Sequence, residues 1–570
     1  MEKWVVAAKR ADFARIASTF GIDPVTARLI RNRDIVGDEA IRQYLYGTRE
    51  DLRDPLAMKD VKPAVEILGK KIEEGRHIRI IGDYDIDGVM STYILYQSLL
   101  GLGARADYTI PHRILDGYGI NEHLIEAARE DGVDTIVTCD NGIAAADQIR
   151  RAKEMGMTVI VTDHHEVPFV EENGVRREIL PPADAVVNPK QADCGYGFSG
   201  ICGAVVAMKV MEALYRARKP QVDLVDRMLP YAAMATVGDV MDLVGENRII
   251  VKEGLKRLHK TENLGLQELI RINGLSPEQI TSYHIGFVLG PCLNAGGRLD
   301  TARRALALLC AEDRQEAARL AGDLKNLNDS RKDMTARGVE DAVRQVEEQN
   351  MTRDGVLVIF LPDCHESLAG IIAGRIREKY HRPTFVLTRG EEGVKGSGRS
   401  TEAYSMYEKL CECREYLTKF GGHPMAAGLS LPEENVESFR RALNDRCGLT
   451  EKDFVEKITI DVPMPLAYIR KDLVRELKIL EPFGKGNEKP LFAQKGLHPR
   501  ALRVLGKNRN VVRMQLTDDA GFAMTGIYFG DSDEFVERLQ GRDTISVLYY
   551  PEIDEYQGRE NLQVIVKSWC

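Results

Sequence analysis

Three aspartates alternate with other residues directly after an apolar run near residue 80. They are Asp83, Asp85 and Asp87 in the sequence GDYDIDG, and residues 78–81 before them are predicted to form a strand. Three like charges so close together are costly unless a cation neutralises them. A turn with solvated carboxylates, or a loop of the calcium-binding type, gives a similar pattern. This motif alone therefore leaves its chemistry open.

More acidic and imidazole side chains follow later predicted elements of the chain. Two groups stand at strand ends and one follows a helical segment, and their members are Asp140, Asp163, His164, His165 and Asp239. For any one of them, a helix cap or a turn is the commoner role. Their recurrence along one sheet edge favours a shared site instead. Carboxylates with one or two imidazoles suit Mg²⁺ or Mn²⁺ better than Zn²⁺.

We therefore predict a metal-dependent phosphoesterase centre, because two ions sharing a carboxylate can activate water and stabilise a leaving phosphate oxygen. The predicted metal ligands are Asp83, Asp85, Asp87, Asp140, His164 and Asp239. The predicted catalytic set is Asp85, Asp87, Asp140, His164, His165 and Asp239. Asp163 is assigned to orienting an imidazole rather than to binding metal.

The elements that must position these residues follow a βαβ pattern. Apolar runs at 78–81, 135–138 and 158–162 alternate with helical patterns between about 60 and 240, which predicts a parallel sheet. Ligands of such sheets bind at the carboxyl ends of the strands. A mostly helical region follows, with a long helix over 317–349 that Gly322 or Gly338 would be able to interrupt.

The remaining chain changes pattern twice. Residues 354 to about 448 return to mixed α/β, with strands at 356–361 and 384–387 around a helix at 368–380. Short strands at 511–517, 521–529, 544–550 and 562–566 then predict a small all-β barrel or sandwich. The predicted parts are an N-terminal segment 1–55, a parallel-sheet α/β domain 56–245, a helical region with a connecting helix 246–350, a second α/β domain 351–450 and a β domain 451–570.

Composition narrows the class of protein. The chain has 570 residues, of which 44% are hydrophobic and 29% charged, as in folded multidomain proteins. It shows no secretory signal and no apolar stretch long enough for a membrane helix, and its ten cysteines form no repeated C-x-x-C pair. These features predict a cytoplasmic protein with reduced thiols and no membrane partner. The net charge of −9 weighs mildly against a general nucleic-acid binder.

The order of the motifs D-Y-D-x-D-G, D-N-G, D-H-H and G-D resembles that of the DHH phosphoesterase superfamily. Within it, the chain resembles the RecJ family of bacterial single-strand-specific 5′→3′ exonucleases. Other segments carry the resemblance over most of the chain, among them residues 108–120 (YTIPHRILDGYGI), 290–299 (GPCLNAGGRL), 396–400 (GSGRS), 421–428 (GGHPMAAG) and 480–487 (LEPFGKGN).

The resemblance implies a role for each part. The predicted ligands would hold two divalent ions, Mn²⁺ or Mg²⁺, and His165 would contact the scissile phosphate or assist a ligand. Arg113, Ser397 and Arg399 would hold the 5′-phosphate. Asn294, Arg298 and His423 would line the path of the strand. A DHH-associated domain and a C-terminal OB-fold would complete a monomeric enzyme of DNA repair and recombination, with single-stranded DNA-binding protein and a helicase as partners.

The C-terminal β domain offers its own candidates for binding a strand. Arg503, Lys507, Arg509 and Arg513 lie near its first hairpin, and Tyr528, Phe529, Tyr549 and Tyr550 lie in or beside its strands. Basic side chains with aromatic rings suit single strands. Aromatic residues in strands are more often core residues.

The chain also departs from the family pattern. Cys292 stands where the family usually has arginine, Ser367 where it has glycine, and Cys364 where it has tryptophan. No departure removes a predicted metal ligand. We expect Cys292 and Ser367 to bear on DNA affinity or end selectivity rather than on the chemistry.

Two other functions fit parts of the sequence. A DHH enzyme for short oligonucleotides, cyclic dinucleotides or pyrophosphate would share the acidic motifs, but it would need neither this length nor the C-terminal β domain. A catalytically inactive binding protein of the same fold would not need the complete set of metal ligands.

Overall fold

The computed structural model describes residues 2–113, 116–117, 119–172, 174–219, 221–390, 393–556 and 558–570. Three positions of the 108–120 motif, residues 114, 115 and 118, lie outside the described residues. Among the helices that the structure describes, none combines the length and apolarity needed to cross a bilayer.

The first half of the chain contains a parallel sheet surrounded by helices. The N-terminal elements are β1 (Glu2–Val6), α1 (Phe13–Phe20), α2 (Pro24–Asn32) and α3 (Asp38–Tyr46). The sheet part consists of α4 (Val61–Glu73), β2 (His77–Ile81), α5 (Ile86–Gly101), β3 (Arg105–Thr109), α6 (Glu122–Glu130), β4 (Thr135–Cys139), α7 (Ala146–Glu154), β5 (Thr158–Thr162), β6 (Phe169–Glu172), β7 (Val175–Glu178), β8 (Ala185–Val187), α8 (Gly203–Arg218) and α9 (Leu224–Gly238).

The order of the strands explains where a site forms. The five strands run in the order β3-β2-β4-β5-β8, all parallel. The chain moves outward from β2 to β3 and then returns to β4 on the other side of β2, so the winding reverses between β2 and β4. Loops diverge at such a point and leave a crevice at the carboxyl ends of the strands. The predicted aspartates follow these strands.

A helical region links the two α/β parts. It contains α10 (Gly245–Leu258), α11 (Leu264–Ile272), α12 (Ser282–His284), a π-helical turn (Ile285–Leu289), α13 (Gly290–Leu299), α14 (Arg303–Leu309) and α15 (Arg314–Glu348). Helix α15 has 35 residues and continues through Gly322 and Gly338, so it is about 50 Å long at 1.5 Å per residue. A Cβ atom at Gly338 would lie 2.5 Å from Ile372. This glycine lets the next helix approach closely rather than ending α15.

The second α/β part contains β9 (Leu357–Phe360), α16 (Ala369–Tyr380), β10 (Thr384–Gly390), β11 (Gly393–Arg399), α17 (Met406–Glu412), β12 (Lys419–His423), β13 (Ala426–Leu431) and α18 (Val436–Asp445). Its strands run in the order β12-β13-β11-β10-β9, and only the β9–β10 pair is parallel. One face packs on α15 and α16, and the other on α17 and α18.

The C-terminal part is a closed barrel. Strand β14 (Glu456–Ile460) precedes the barrel and pairs in parallel with β1. The elements that follow are β15 (Val462–Pro463), α19 (Lys471–Leu477), β16 (Phe492–Leu505), β17 (Val511–Thr517), β18 (Ala523–Phe529), α20 (Ser532–Leu539), β19 (Ile545–Tyr556) and β20 (Arg559–Trp569). The long strand β16 pairs with β17 and, through its first half, with β19, which closes the sheet. The predicted all-β part is thus a barrel of the OB type rather than a sandwich.

The N-terminal helices share a core with this barrel. Leu29 and Ile30 of α2 are buried in one cluster with Phe492 and Val547 of the barrel strands. The buried Arg248 guanidinium of α10 adds a polar link, because it donates to the carbonyls of Tyr44, Ile479 and Leu480 at 2.7–2.9 Å. These contacts join the two ends of the chain to the helical region.

Candidate metal centre and its cleft

The turn between β2 and α5 brings the three alternating aspartates to the crevice. A Cβ atom at Gly88 would lie 2.4 Å from the carbonyl oxygen of Asp83, so only glycine allows this turn. Oδ1 of Asp85 accepts hydrogen bonds from the backbone N–H groups of Asp87 and Gly88 and caps α5. Asp85 is thus a helix cap, and its carboxylate also takes part in the acidic group described below.

Asp87 is held by the start of another helix. Its carboxylate oxygens accept from the N–H groups of Gly203 and Ala204, at 2.6 and 2.7 Å, at the first turn of α8. The positive end of a helix stabilises a buried negative charge. The sequence interpretation gave Gly203 and Ala204 no such role, because the contact joins segments far apart in the chain and leaves no local signal.

The DNG motif forms a tight turn after β4. Asp140 adopts a left-handed backbone conformation with φ of 60°. The side-chain amide of Asn141 donates to the carbonyls of Ile81 and Cys139, which ties the ends of β2 and β4 together. A Cβ atom at Gly203 would lie 2.8 Å from Cβ of Asp140. Such strained, over-determined turns occur at sites where a side chain must be placed accurately.

His164 lies at the centre of the acidic group. Its Nε2 atom is 3.1 Å from Oδ1 of Asp140, 3.4 Å from Oδ2 of Asp87 and 3.7 Å from Oδ2 of Asp239. Asp239 is in position because it follows directly on α9. The possible ligand atoms form three overlapping groups, and within each group they all lie within 4.8 Å of one another. The groups are Asp83 with Asp85 and Asp140, Asp87 with His164 and Asp239, and Asp140 with His164 and His165.

Asp163 has a different position from its neighbours. It is fully buried, and its Oδ1 atom accepts from the backbone N–H groups of His164 and His165 and contacts Nδ1 of His165 at 2.8 Å. Its Oδ2 atom accepts from the N–H of Ile143 in the neighbouring loop. With both oxygens engaged, Asp163 orients the imidazole of His165.

Burial and mutual repulsion disfavour charge on the carboxyl groups. Burial and the charge of Asp85 raise the pKa of Asp83 well above its usual range. Burial and the charges of Asp87 and Asp85 also raise the pKa of Asp140 well above its usual range. The same causes raise the pKa of Asp239 to about 8. For His165, burial lowers the pKa, but the hydrogen bond and charge of Asp163 outweigh it and raise the pKa to about 9.

The donor set fits divalent cations. Among the described residues, Oδ1 of Asp83 and Nδ1 of His164 are buried and have no hydrogen-bond partner. Buried polar atoms are normally satisfied, so such atoms indicate a missing ligand. A cation would also remove the repulsion that raises the carboxyl pKa values. Oxygen donors with one or two imidazole nitrogens match Mg²⁺ and Mn²⁺.

The cleft beside this centre is lined by arginines from three parts of the chain. The Arg113 guanidinium lies 4.9 Å above the ring of Tyr84, and Nη1 of Arg298 donates to the carbonyl of Ser367 at 3.0 Å. Burial, with the nearby charges of Arg113, Arg331 and Arg399, lowers the pKa of Arg298 to about 10. Grouped cations of this kind suit an anionic ligand such as phosphate.

The glycine-rich strand β11 contributes Ser397 and Arg399 to the same cleft. Nη1 of Arg399 lies 3.3 Å from Oγ of Ser397, and a Cβ atom at Gly370 would lie within 2.9 Å of both side chains. Burial and the charges of Arg377 and Arg113 lower the pKa of Arg399. The predicted phosphate clamp is therefore a compact pair near Arg113.

The last two predicted cleft residues occupy different positions. Asn294 is half-buried on α13, and among the described residues its Oδ1 atom is buried without a partner. His423 is exposed at the end of β12. The hydrogen bond of Lys190 and, to a smaller extent, the charge of His423 lower the pKa of Glu166, which adjoins His165. His423 thus lies on the side of the second α/β part that is nearest to Glu166.

Comparisons with known proteins agree with this architecture. Family models match residues 77–236 (DHH family, N-terminal domain), 353–448 (DHHA1 domain) and 460–568 (RecJ OB domain). The chain is 36% identical to the single-stranded-DNA-specific exonuclease RecJ of Bacillus subtilis strain 168, over 96% of this chain and 68% of that one. It is 32% identical to the RecJ of Haemophilus influenzae, over 97% of each chain. This chain belongs to the RecJ family.

Solved RecJ structures share its fold. The crystal structure of RecJ from Thermus thermophilus in complex with Mn²⁺ matches with a TM-score of 0.82 and 27% identity, over all of this chain and 79% of that one. The Mg²⁺ complex of that protein matches with a TM-score of 0.78 and 26% identity, over all of this chain and 78% of that one. Family members of this fold thus hold the ions that the donor set of this chain fits.

Two departures from the RecJ pattern have side chains that are buried and engaged with neighbouring side chains. Cys292 is fully buried, and its Sγ atom lies 3.4–3.8 Å from the side-chain amides of Asn328 and Asn273. This side chain therefore points into the packing of α13 against its neighbours and not into the cleft. Ser367 is buried too, and its Oγ atom lies 2.8 Å from Nδ1 of His365.

The aromatic candidates of the barrel differ in exposure. Tyr549 is fully buried and donates to the carbonyl of Met464, so it belongs to the core. Lys489 lies 3.7 Å above the ring of Tyr550. Phe529 is exposed, whereas Tyr528 packs on Phe535. Of the four candidates, Phe529 is the most open to solvent.

Proposed function

We propose that this chain is a single-stranded-DNA-specific exonuclease that hydrolyses phosphodiester bonds from the 5′ end and releases 5′-mononucleotides. The observation that carries the proposal is the juxtaposition of the buried carboxylate–imidazole centre with the arginine-lined cleft beside it. The first suits divalent ions and the second suits phosphate. Membership of the RecJ family supports the same reaction and substrate.

The metal centre would be held by the six predicted ligands, Asp83, Asp85, Asp87, Asp140, His164 and Asp239, as a site for two Mn²⁺ or Mg²⁺ ions. Divalent ions bound there supply Lewis-acid polarisation of a phosphoryl oxygen and lower the pKa of a bound water. Asp163 holds His165 at the edge of the centre. The hydrogen bond and charge of Asp163 favour a protonated His165, which would donate to a phosphate oxygen.

Selection of the 5′ end is assigned to Arg113, Ser397 and Arg399. A terminal phosphate carries more charge than an internal diester, and a group of cations in a partly buried cleft favours it. Asn294, Arg298 and His423 would line the strand as it enters. The cleft between the two α/β parts would admit one strand and exclude a duplex.

The other assignments rest on family membership. The barrel would bind the incoming strand, and single-stranded DNA-binding protein and a helicase would be partners in DNA repair and recombination. We assign the enzyme to the cytoplasm as a monomer. We also propose the division 1–55, 56–245, 246–350, 351–450 and 451–570, which the matches at 77–236, 353–448 and 460–568 support.

The test is digestion of a 5′-phosphorylated single strand that carries different labels at its two ends, with and without Mn²⁺. We expect metal-dependent release of the 5′ label as a mononucleotide before the 3′ label, with no digestion of a blunt duplex. Asp140→Ala should abolish release but keep much of the DNA binding. Asp147→Ala, at an exposed position on α7, is the matched control.

Two results would overturn the proposal. Release of the 3′ label first would contradict the assigned polarity. Faster turnover of a dinucleotide than of a long strand would favour a small-substrate enzyme of the same superfamily.

A further inference from the structure

Two aromatic side chains outside the metal centre are stacked on each other in solvent. The Tyr283 and Phe287 side chains are 62% and 65% exposed, and their ring centroids lie 4.9 Å apart with 27° between the planes. Phe287 belongs to the π-helical turn Ile285–Leu289. π-Helical turns inside helices occur frequently at functional sites. Two adjacent exposed rings offer a flat apolar face on which another flat ring can stack.

The pair begins a ridge that leads into the cleft. The helical run from Ser282 to Leu299 continues from the π-helical turn through α13. Phe287, Asn294 and Arg298 are spaced by seven and four residues, so they share one side of this run. At the far end, Arg298 reaches the carbonyl of Ser367 across the cleft.

The neighbouring side of the same run packs on the metal centre. Cβ atoms at Gly286 and Gly290 would lie 3.6 Å from Val237 and 3.4 Å from Ile86. One at Gly297 would lie 2.2 Å from the carbonyl oxygen of Tyr84. Val237 precedes Asp239 by two residues, and Tyr84 and Ile86 alternate with the first aspartates. The ridge therefore runs along the edge of the acidic group.

The other end of the run touches the segment that leads to the barrel. Oγ of Ser282 donates to the carbonyl of Phe483 at 2.5 Å. The same segment also contacts the chain just after the metal centre, because the N–H of Leu243, four residues beyond Asp239, donates to the carbonyl of Lys485 at 2.7 Å. Tyr283 directly follows Ser282. The aromatic pair thus lies between the barrel and the metal centre, at the start of the ridge.

We propose that Tyr283 and Phe287 form a stacking platform for unpaired bases of the strand on its way from the barrel to the metal centre. The proposal rests on the proposed function and adds a binding subsite to it. Every base has a flat face, so such a platform holds a strand without reading its sequence. Bases paired in a duplex do not offer that face, so the platform would favour single strands.

The occupant follows from the surroundings of the pair. The ridge ends at Arg298 and the other cleft arginines, whose charge suits phosphates rather than an apolar protein surface. A strand laid along the ridge would place its phosphates toward these cations and its bases on the rings. A protein partner would instead need an apolar area larger than these two rings.

The test compares DNA affinity among variants of the full-length chain, in an Asp140→Ala background so that the strand stays intact. A strand of about 20 nucleotides with 2-aminopurine at successive positions reports both affinity and stacking. We expect the Tyr283→Ala, Phe287→Ala double variant to bind the long strand about ten-fold more weakly. It should bind a trinucleotide as well as before, and lose the quenching of 2-aminopurine at one or two adjacent positions.

Conservative variants keep the test independent of folding. Tyr283→Phe and Phe287→Tyr should retain affinity and quenching, because they keep the rings. Tyr46→Ala, which removes another exposed aromatic side chain, is the matched control. All variants should share one melting temperature within a few degrees, since the replaced side chains are exposed.

The outcomes separate this proposal from the proposed function. A double variant that binds the long strand within two-fold of its parent, with quenching unchanged, overturns the platform and would leave a protein-docking role for the pair. Loss of binding in the double variant supports the platform even if the unsubstituted chain shows no exonuclease activity, because this readout requires no turnover. Failure of the parent to bind single strands would overturn both.

Discussion

Nδ1 of His165 lies 2.8 Å from Oδ1 of Asp163, a buried carboxylate that also accepts from the backbone N–H groups of His164 and His165. We expect Asp163→Asn to reduce turnover about 10- to 100-fold, the range found when the partner of a metal-site histidine is lost. The affinity for Mn²⁺ should fall less, because Asp163 is not among the grouped ligand atoms. Steady-state kinetics and calorimetric titration with Mn²⁺ measure the two effects.

The same substitution should lower the pKa of His165 from about 9, because the negative charge that favours the imidazolium is removed. NMR titration of the metal-free protein would measure the pKa of the His165 ring in the parent and in the variant. Asp147→Asn, on an exposed helix, is the control. Turnover and His165 pKa that both match the parent would show that Asp163 does not orient this ring.

The raised carboxyl pKa values predict how metal binding changes with pH. In the folded, metal-free protein the neutral form of Asp239 persists up to a pKa of about 8, above the ordinary unfolded value near 4. The neutral form of Asp239 stabilises the folded state fully at pH values below its pKa in the unfolded chain. This stabilisation is lost as pH rises through the folded-state pKa of about 8. The metal-free melting temperature should therefore fall as pH rises from about 4 to about 8.

Mn²⁺ binds the ionised carboxylates, so its stabilising effect should increase over the same pH interval. Thermal melts with EDTA measure how the stability of the metal-free protein changes with pH, and melts with Mn²⁺ measure how the stabilisation by the metal changes with pH. In Asp239→Asn the pH dependence should be weaker, because one titrating group is gone. A Mn²⁺ effect that is constant or decreasing with pH would contradict the account of these pKa shifts.

The buried position of Cys292 predicts that it does not contact DNA. We expect Cys292→Ala to leave the Kd for a single strand within two-fold of its parent and to cost about 1 kcal/mol of unfolding free energy. Arg298→Ala, on the same helix but at the cleft, should weaken binding at least ten-fold. Fluorescence anisotropy measures the Kd for the single strand, and urea unfolding measures the free energy of unfolding. A large change in DNA affinity for Cys292→Ala would instead show that the residue at this position contributes to DNA binding, as the departure from the family's usual arginine suggested.

Arg248 should stabilise the junction between the helical region, the N-terminal helices and the segment before the barrel. Arg248→Met removes the donor of the Tyr44 and Ile479 carbonyls, whereas the Leu480 carbonyl keeps the side-chain amide of Asn487. Each lost donor costs about 1–3 kcal/mol, so we expect at least about 2 kcal/mol of destabilisation in urea unfolding. Arg319→Met, at an exposed ion pair on α15, should change little. Equal stabilities of the two variants would rule out this role.

Local sequence pattern was enough to predict the parallel sheet. The strand predicted at 158–162 coincides with β5, and the one at 135–138 is one residue shorter than β4. Strands covered on both faces are continuous apolar runs, so they are easy to recognise. The aspartates and histidines that follow these strands were predicted to meet because the strand ends of one sheet converge. The structure groups the ligand atoms of Asp83, Asp85, Asp87, Asp140, His164 and His165, together with Asp239 after α9, while Asp163 lies behind His165.

Features that depend on distant contacts were not predictable in this way. The choice between barrel and sandwich depends on the pairing of β16 with β19, which lies about 50 residues away. The burial of α2 against the barrel joins opposite ends of the chain. Gly338 indicated a possible break in α15, but it serves the close approach of Ile372.

Parts of the site were missed for the same reason. The amides of Gly203 and Ala204 hold Asp87 only because α8 begins beside the crevice. Tyr283 and Phe287 have the spacing of ordinary core residues, and only their exposure in the fold distinguishes them. The side chain of Tyr549, a candidate for base stacking, is instead buried.

An anomalous diffraction map of crystals grown with Mn²⁺ and a 5′-phosphorylated strand would show whether the carboxylate–imidazole group holds two ions. We expect two manganese peaks about 3.5–4 Å apart, both within coordination distance of Asp140, with the 5′-phosphate beside Arg113 and Arg399. No peak at His164 and Asp140, or a single peak at full Mn²⁺ occupancy, would contradict a two-ion centre.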